Sequence, residues 1–380
     1  MAARRDVYIV GVGQVGYGEI EDKRLEQVIF ESCSKALSDA KISRDEIETV
    51  VMGAQDEIDG RSISSMVAAG PAGSFLKDET RAANEGIYAL IVAYLYVASG
   101  LKDVCLVSSW SKCSETPVDL ITNLRFEPFF SRSVGLNYVT AAALQACVYS
   151  NERKLSEEAV AEIVVKNREN AMNNPFAHVR RFVTVDDVLS SRVVAYPLKK
   201  LHLPPKSDGA CALVVVSRDI AETLTNRRVA IRAMGWATDA YYLGNRDLTK
   251  LTSLEKAAEM AYRNAGIKNP LDEIDVCEVA DVTAYHELMA YEALGFSDNG
   301  GSLIEEGVTR MNGELPVNPS GGILSSNPMV ASGLVRVAEC YLQLTRRGGD
   351  RQVRGVETAL AHGSEGPCCQ ENAVVILGRE

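Results

Sequence analysis

Apolar positions along this chain alternate between short continuous runs and stretches with helical spacing, and the whole series occurs twice. The first copy opens on Tyr8-Ile9-Val10-Gly11-Val12-Gly13, follows with a helical pattern through Leu25, Val28, Ile29, Ala36 and Leu37, and reaches Ala40-Lys41-Ile42, Asp45-Glu46-Ile47-Glu48 and the run Val50-Val51-Met52. The second opens on Val229-Ala230-Ile231, continues through Leu254, Ala257, Ala258, Ala261 and Tyr262, and reaches Ala265-Gly266-Ile267, Asp272-Glu273-Ile274-Asp275 and Val276-Cys277-Glu278. The two copies keep an offset of about 225 residues, which marks an internal duplication.

Each copy continues with a helix of small and apolar residues. Ile87, Leu90, Ile91, Tyr94, Leu95 and Ala98 recur at helical spacing with no charge between Ile87 and Ser99, so this helix is predicted to be buried all round. It is too short to cross a membrane. Its counterpart is predicted from about Val330 to Leu344, and the strands Asp103–Val107 and Glu357–Ala361 follow. One more strand closes each copy, Ala210–Val216 and Ala373–Leu377; in the first copy a stretch from Thr116 to Lys206 separates the last two strands and has no equivalent in the second. Alternating strands and helices in each half predict two mixed sheets covered by helices, with the uncharged helices between them. The expected fold is α/β, five layers in the order α-β-α-β-α. Its parts are an N-terminal half of residues 1–115 plus 207–228, an inserted loop domain of 116–206 and a C-terminal half of 229–380.

Composition narrows the function. A net charge of −11 disfavours general nucleic-acid binding, which needs a basic surface. No charged-then-apolar leader and no long apolar run is present, so a soluble cytoplasmic protein is expected. The nine cysteines show no Cys-x-x-Cys pair or His/Cys ligand spacing, and read as buried thiols with no metal site.

Five places carry candidate chemistry. Gly11-x-Gly13-x-x-Gly16 follows a strand as a dinucleotide fingerprint should, but Tyr17 to Glu21 delay the next helix, so a turn or strand end is the preferred reading. The N-terminus of the first buried helix would stabilise an anion or a thiolate, yet its residues are Thr80-Arg81-Ala82-Ala83-Asn84-Glu85-Gly86, without a thiol. At the matching start in the second half, Asn318-Pro319-Ser320-Gly321-Gly322-Ile323-Leu324-Ser325-Ser326-Asn327-Pro328 reads as a binding loop, its glycines allowing close backbone approach. Tyr285 and His286 follow a strand and are candidate acid/base groups. Cys368 and Cys369 lie in the last loop, where a turn would bring them towards the same crevice.

The opening Val10-Gly11-Val12-Gly13-Gln14, Ser207-Asp208-Gly209-Ala210, Ala290-Tyr291-Glu292-Ala293-Leu294-Gly295 and Asn318-Pro319-Ser320-Gly321-Gly322, with the duplicated halves, resemble the thiolase superfamily over the whole chain, nearest to the sterol-carrier or lipid-transfer type. A working member, as the resemblance implies, uses a cysteine nucleophile before the first buried helix, a Gly-His-Pro histidine to activate it, a His-Asp-x-Phe histidine for the substrate oxygen and often a second cysteine in the C-terminal loop. Here those places read Ala83, Ser326-Asn327-Pro328, Ala280-Asp281-Val282-Thr283 and a loop that keeps Cys368 and Cys369. Alanine forms no acyl-enzyme and asparagine takes no proton from a thiol at neutral pH.

The resemblance therefore implies a protein that binds an acyl-CoA thioester, with coenzyme A as part of the substrate and no covalent cofactor. His178, Arg180 and Arg181 in the insertion are candidates for the CoA phosphates, or a solvated basic loop. One reading is an aldolase-like lyase that cleaves a β-hydroxyacyl-CoA without an acyl-enzyme. Tyr285, His286 or Cys368 would be the base, and Asn327 with the Gly321-Gly322 backbone would donate to the enolate. A second is a non-catalytic acyl-CoA-binding scaffold, and a third an acyltransferase acting through Cys368 or Cys369. A homodimer or dimer of dimers, and a small zinc-ribbon and OB-fold partner, are what such relatives imply.

Overall fold

The computed structural model describes residues 5–224 and 227–380. Among the described residues there are eleven strands: β1 (Val7–Gln14), β2 (Thr49–Gly53), β3 (Asp78–Ala82), β4 (Val104–Ser111), β5 (Val193–Ala195), β6 (Leu198–Lys199), β7 (Gly209–Ser217), β8 (Val229–Thr238), β9 (Val276–Glu278), β10 (Thr358–Glu365) and β11 (Glu371–Arg379). The order in the main sheet is β3-β2-β4-β7-β1-β8-β11-β10-β9, with β5 and β6 forming a small hairpin in the insertion. Four strands of each half repeat one another. β2-β4-β7-β1 and β9-β10-β11-β8 share one order, with the first pair of each parallel and the others antiparallel. The two sheets are joined edge to edge through Tyr8↔Ala230 and Ile9↔Val229, a short antiparallel bridge.

β3 is peculiar to the first half and was not visible in the apolar pattern. Its sequence Asp78-Glu79-Thr80-Arg81-Ala82 is charged because it is a half-exposed edge, paired only with β2. The first central helix then begins at Gly86 and runs to Ala98.

Three hydrophobic clusters make the layers. The helix Leu25–Ala40 covers the outer face of the first sheet. Gly86–Ala98 and the second central helix, Ser332–Leu344, fill the space between the sheets. The outer face of the second sheet is covered by Thr252–Ala265, Ala284–Ala293 and the inserted Glu157–Met172. The order is α-β-α-β-α, as the duplication predicts.

Two glycines of the would-be dinucleotide motif, Gly11 and Gly13, have a packing role, whereas Gly16 faces open space. A Cβ on Gly11 would stand 2.6 Å from the Ala36 carbonyl oxygen, and one on Gly13 2.1 Å from that of Ser32. Gly235 in β8 repeats the device, with Ala257 O at 2.0 Å from such a Cβ. In both halves the helix lies so close on its strand that only glycine fits. Among the described residues no helix is long and apolar enough to cross a membrane.

Candidate active site

The two central helices begin side by side, and Glu85 joins them. Its carboxylate accepts the Ile87 N–H at 3.3 Å as the cap of the first helix. Cβ atoms on Gly333 and Gly363 would fall 2.2 and 2.6 Å from its oxygens, so it occupies a slot that two glycines leave open. Burial, reinforced by the charge of Glu365, pushes the Glu85 carboxyl well above the usual range.

Around this junction the hairpin of β10 and β11 supplies a facing pair, Glu365 and Glu371. Glu371 accepts a 2.5 Å hydrogen bond from Asn84 Nδ2, one residue from Ala83, and its second oxygen has no hydrogen-bond partner among the described residues. Ala83 itself is exposed. Glu365 accepts from Gln55 Nε2 at 2.7 Å and is paired with Arg125 of the inserted domain, which also donates to Gln55 Oε1 and, at 2.8 Å, to the Tyr138 hydroxyl. The Tyr88 hydroxyl is buried without a partner, and burial with the nearby charges of Glu371, Glu85 and Glu365 pushes its pKa up. Asn327, partly exposed, accepts from Met329 N and Ser332 Oγ through Oδ1.

The candidates read from sequence scatter. Tyr285 and His286 are buried on the helix Ala284–Ala293 and face the inserted domain. Tyr285 packs edge-on against His202. His286 Nδ1 meets Thr283 Oγ1 at 2.7 Å and Nε2 meets Gln145 Oε1 at 3.0 Å, so both ring nitrogens are engaged. Cys368 packs against Phe126 and Ala141 beside the junction, and Cys369 lies in a different cluster. Burial pushes both thiols up to about 12, so they stay protonated.

Gly321 and Gly322 have φ of +94° and +68°, but what approaches them is protein: Ala171 at Gly321 and the Asp281 carboxylate at Gly322. Their N–H groups go to Asn318 O and Ser320 Oγ, while Ile323 and Leu324 donate to Asp281. The loop is polar and irregular because it is knitted into the core, with Asn318 Oδ1 on Val279 N and Ser320 on Glu278. Of the basic trio, His178 Nδ1 lies 3.0 Å from Ser207 Oγ, which also accepts the Asn327 N–H at 3.0 Å. Arg180 lines a separate cleft of about 600 Å³ with Gln14, Lys35 and Arg347, and Arg181 is exposed. Asn84, Glu85, Tyr88, Arg125, Tyr138, Glu365 and Glu371 were missed. The one available signal was Glu85, an acid at the mouth of an otherwise uncharged helix.

A prediction follows for His286. Burial pulls its pKa down to about 4. Its folded value lies below the ordinary value of about 6.5, so its contribution to stability is complete above that pH and is lost as pH falls towards 4. The loss by pH 5 is about 2 kcal/mol. His286→Gln removes this titration. Urea unfolding at pH 7.5 and 5.0 should show the variant losing about 2 kcal/mol less than the parent over that interval; equal losses would contradict the assignment.

Among the described residues no group of three His, Cys, Asp or Glu side chains is placed to hold a metal ion. A family described as "Thiolase C-terminal domain-like" matches residues 235–379. Acetyl-CoA acetyltransferase of Methanothermobacter thermautotrophicus is 32% identical over 370 residues, covering 94% of this chain and 96% of that protein. Sterol carrier protein 2 of Bos taurus is 28% identical, covering 94% of this chain and 70% of that protein. Among solved structures, the Ltp2-ChsH2(DUF35) aldolase superposes with a TM-score of 0.85 at 22% identity over 98% of both chains.

Proposed function

Because the chain belongs to the thiolase superfamily, as a sterol-carrier-type thiolase-like protein, we propose that it binds an acyl-CoA thioester at the junction of the central helices and breaks or makes the adjacent carbon–carbon bond without an acyl-enzyme. The observation that carries this reading is a carboxylate, Glu371, bonded to Asn84 just before the first central helix, beside Ala83, near which the resemblance puts the nucleophile's place.

In the retro-aldol direction the Glu371 carboxylate takes the β-hydroxyl proton. The Cα–Cβ bond breaks, its electron pair passes into the thioester as an enolate, and an aldehyde or ketone leaves. Glu371 then returns the proton to Cα, so acid and base are regenerated in one cycle. The Tyr88 hydroxyl, without a partner among the described residues, and the Asn327 amide donate to the developing enolate oxygen. Tyr285 and His286 have no part in this scheme, since their contacts lie within the core.

The partner and the oligomer belong to the same reading. β3 leaves one edge unpaired, the natural seam for a homodimer. A small CoA-holding subunit would fit the likeness to a solved aldolase whose name includes a DUF35 component.

The test uses acetyl-CoA in D₂O. Enolate formation should place deuterium on the acetyl methyl, and a β-hydroxyacyl-CoA should release a carbonyl compound, with the intact protein mass unchanged in both. Glu371→Gln should slow exchange by roughly 10²–10⁴-fold with CoA binding retained. A covalent acyl adduct, or no exchange with and without any co-purifying subunit, would overturn the proposal.

A further inference from the structure

A hairpin tip stands beside the same junction. β10 and β11 pair without interruption to Glu365↔Glu371, and the five residues Gly366–Gln370 turn between them, with Glu371 at the tip's base bonded to Asn84 just before the first central helix. The turn is made of left-handed residues: Gly366 at φ +77°, then Cys368 at +53° and Cys369 at +52°, two successive non-glycine residues in a region that costs L side chains energy. Such a turn persists only where its surroundings hold it.

The turn itself is held by the body, with the Gln370 carbonyl accepting the Asp239 N–H at 2.8 Å and the Cys369 carbonyl accepting from Asn372 Nδ2 at 2.8 Å, while its base, Glu365, is held by one side chain on the insertion. Arg125 reaches between the halves to Glu365 and to Gln55, which itself donates to Glu365, and has Glu57 at 3.7 Å. Its side chain and that of Glu365 are each only 18% exposed. The next residue, Phe126, lies on Cys368 with Ala141, and Arg246 donates to the Pro367 carbonyl at 2.8 Å. The segment bearing Arg125 is irregular, made of single helical turns between Thr116 and Gly135, and it turns Leu120, Leu124, Phe129 and Phe130 outward. It is tied to the body by few bonds besides Arg125, among them Thr116 to Ile58 O and Tyr241 to Arg125 O.

We propose that Arg125 is a gate residue: paired with Glu365 and Gln55 it locks the Thr116–Gly135 strap against the base of the Gly366–Gln370 tip, and its release lets strap and tip part to admit a substrate. The gate's relevance to catalysis rests on the reading of that junction as the substrate site, but its existence does not.

Cys368 reports the motion, because it is buried beneath the closed strap, whereas Cys147 is the exposed thiol of the nine. In a Cys147→Ser background, Cys368 should react slowly with a small disulfide reagent, read by intact mass and peptide mapping. Glu365→Gln, which keeps the shape and removes the charge, and Arg125→Met should each speed labelling of Cys368 by about tenfold or more, the scale expected when charge-assisted bonds holding a closed state are lost. Cys33, Cys105, Cys211, Cys277 and Cys340 are buried in the body and should keep their rates. An unchanged Cys368 rate in both variants would overturn the gate. So would a common acceleration of all buried thiols, since the tip would then open only with the whole fold. No substrate enters the measurement, so its failure and the failure of the aldol reading are separate results.

Discussion

Lys166→Met should be among the most destabilising single substitutions in this chain, with a loss of about 3–5 kcal/mol and a fall in Tm on the order of 5–10 °C. Lys166 is buried on the inserted helix Glu157–Met172, with its Nζ 2.6 Å from Glu287 Oε1 and 2.8 Å from the Val317 carbonyl. Glu287 is itself fully buried and accepts from Asn167 Nδ2 at 2.5 Å, Asn318 Nδ2 at 3.1 Å and the Tyr291 hydroxyl at 2.5 Å. Removing the cation leaves a carboxylate in the core with neutral donors only, and that uncompensated charge is the main cost. Glu287→Gln in the same chain should recover about 2 kcal/mol or more, because the neutral amide no longer needs the lysine. A single variant within 1 kcal/mol of the parent, or a double variant no better than the single, would show that the charge is compensated elsewhere.

This pair matters for the site because of where it sits. Asn167, next to Lys166, donates to both Glu287 and Asp281, and Asp281 caps the turn Gly322–Ser325 that leads to Asn327. The insertion is thus bolted through buried charges to the loop that carries Asn327. The same insertion contributes Arg125 and Tyr138 to the junction by an independent route.

The duplication was legible because each strand and helix writes its own period into adjacent residues, and the repeated order of β2-β4-β7-β1 in β9-β10-β11-β8 is its structural image. The uncharged stretch Ile87–Ser99 announced a buried helix, and it is one of the two central helices, but it is not covered all round: Leu95 is 48% exposed, and Tyr88, Val92 and Tyr96 on the same stripe are half-buried. The site was less legible for three physical reasons. Helix phase decides direction: Tyr285 and His286 follow a strand end as expected, but their phase points them at the inserted helices. Glycines report close approach without saying by what, and at Gly321 and Gly322 it is Ala171 and Asp281. The cluster of Gln55, Asn84, Arg125, Tyr138, Glu365 and Glu371 draws on segments distant in sequence, none with a motif of its own.

On the proposed reading, placing a cysteine at position 83 and a histidine at position 327 should confer covalent chemistry in a defined order. The parent protein should show no acetyl adduct after incubation with acetyl-CoA, since Ala83 has no nucleophile and burial holds Cys368 and Cys369 as thiols. Ala83→Cys places an exposed thiol just before a helix N-terminus, where the dipole favours the thiolate. That variant should acylate slowly, because Asn327 offers no basic nitrogen. Adding Asn327→His supplies one and should speed adduct formation, followed by intact mass, by about 10²–10⁴-fold over the single variant, the usual contribution of a positioned general base. Equal rates for the single and double variants would mean that position 327 does not face position 83. An adduct on the parent chain would identify another nucleophile and return the acyltransferase reading to the front. The predicted ordering, none, slow, fast, follows if nucleophile and base are two separable requirements on a scaffold that brings both helix N-termini to one point.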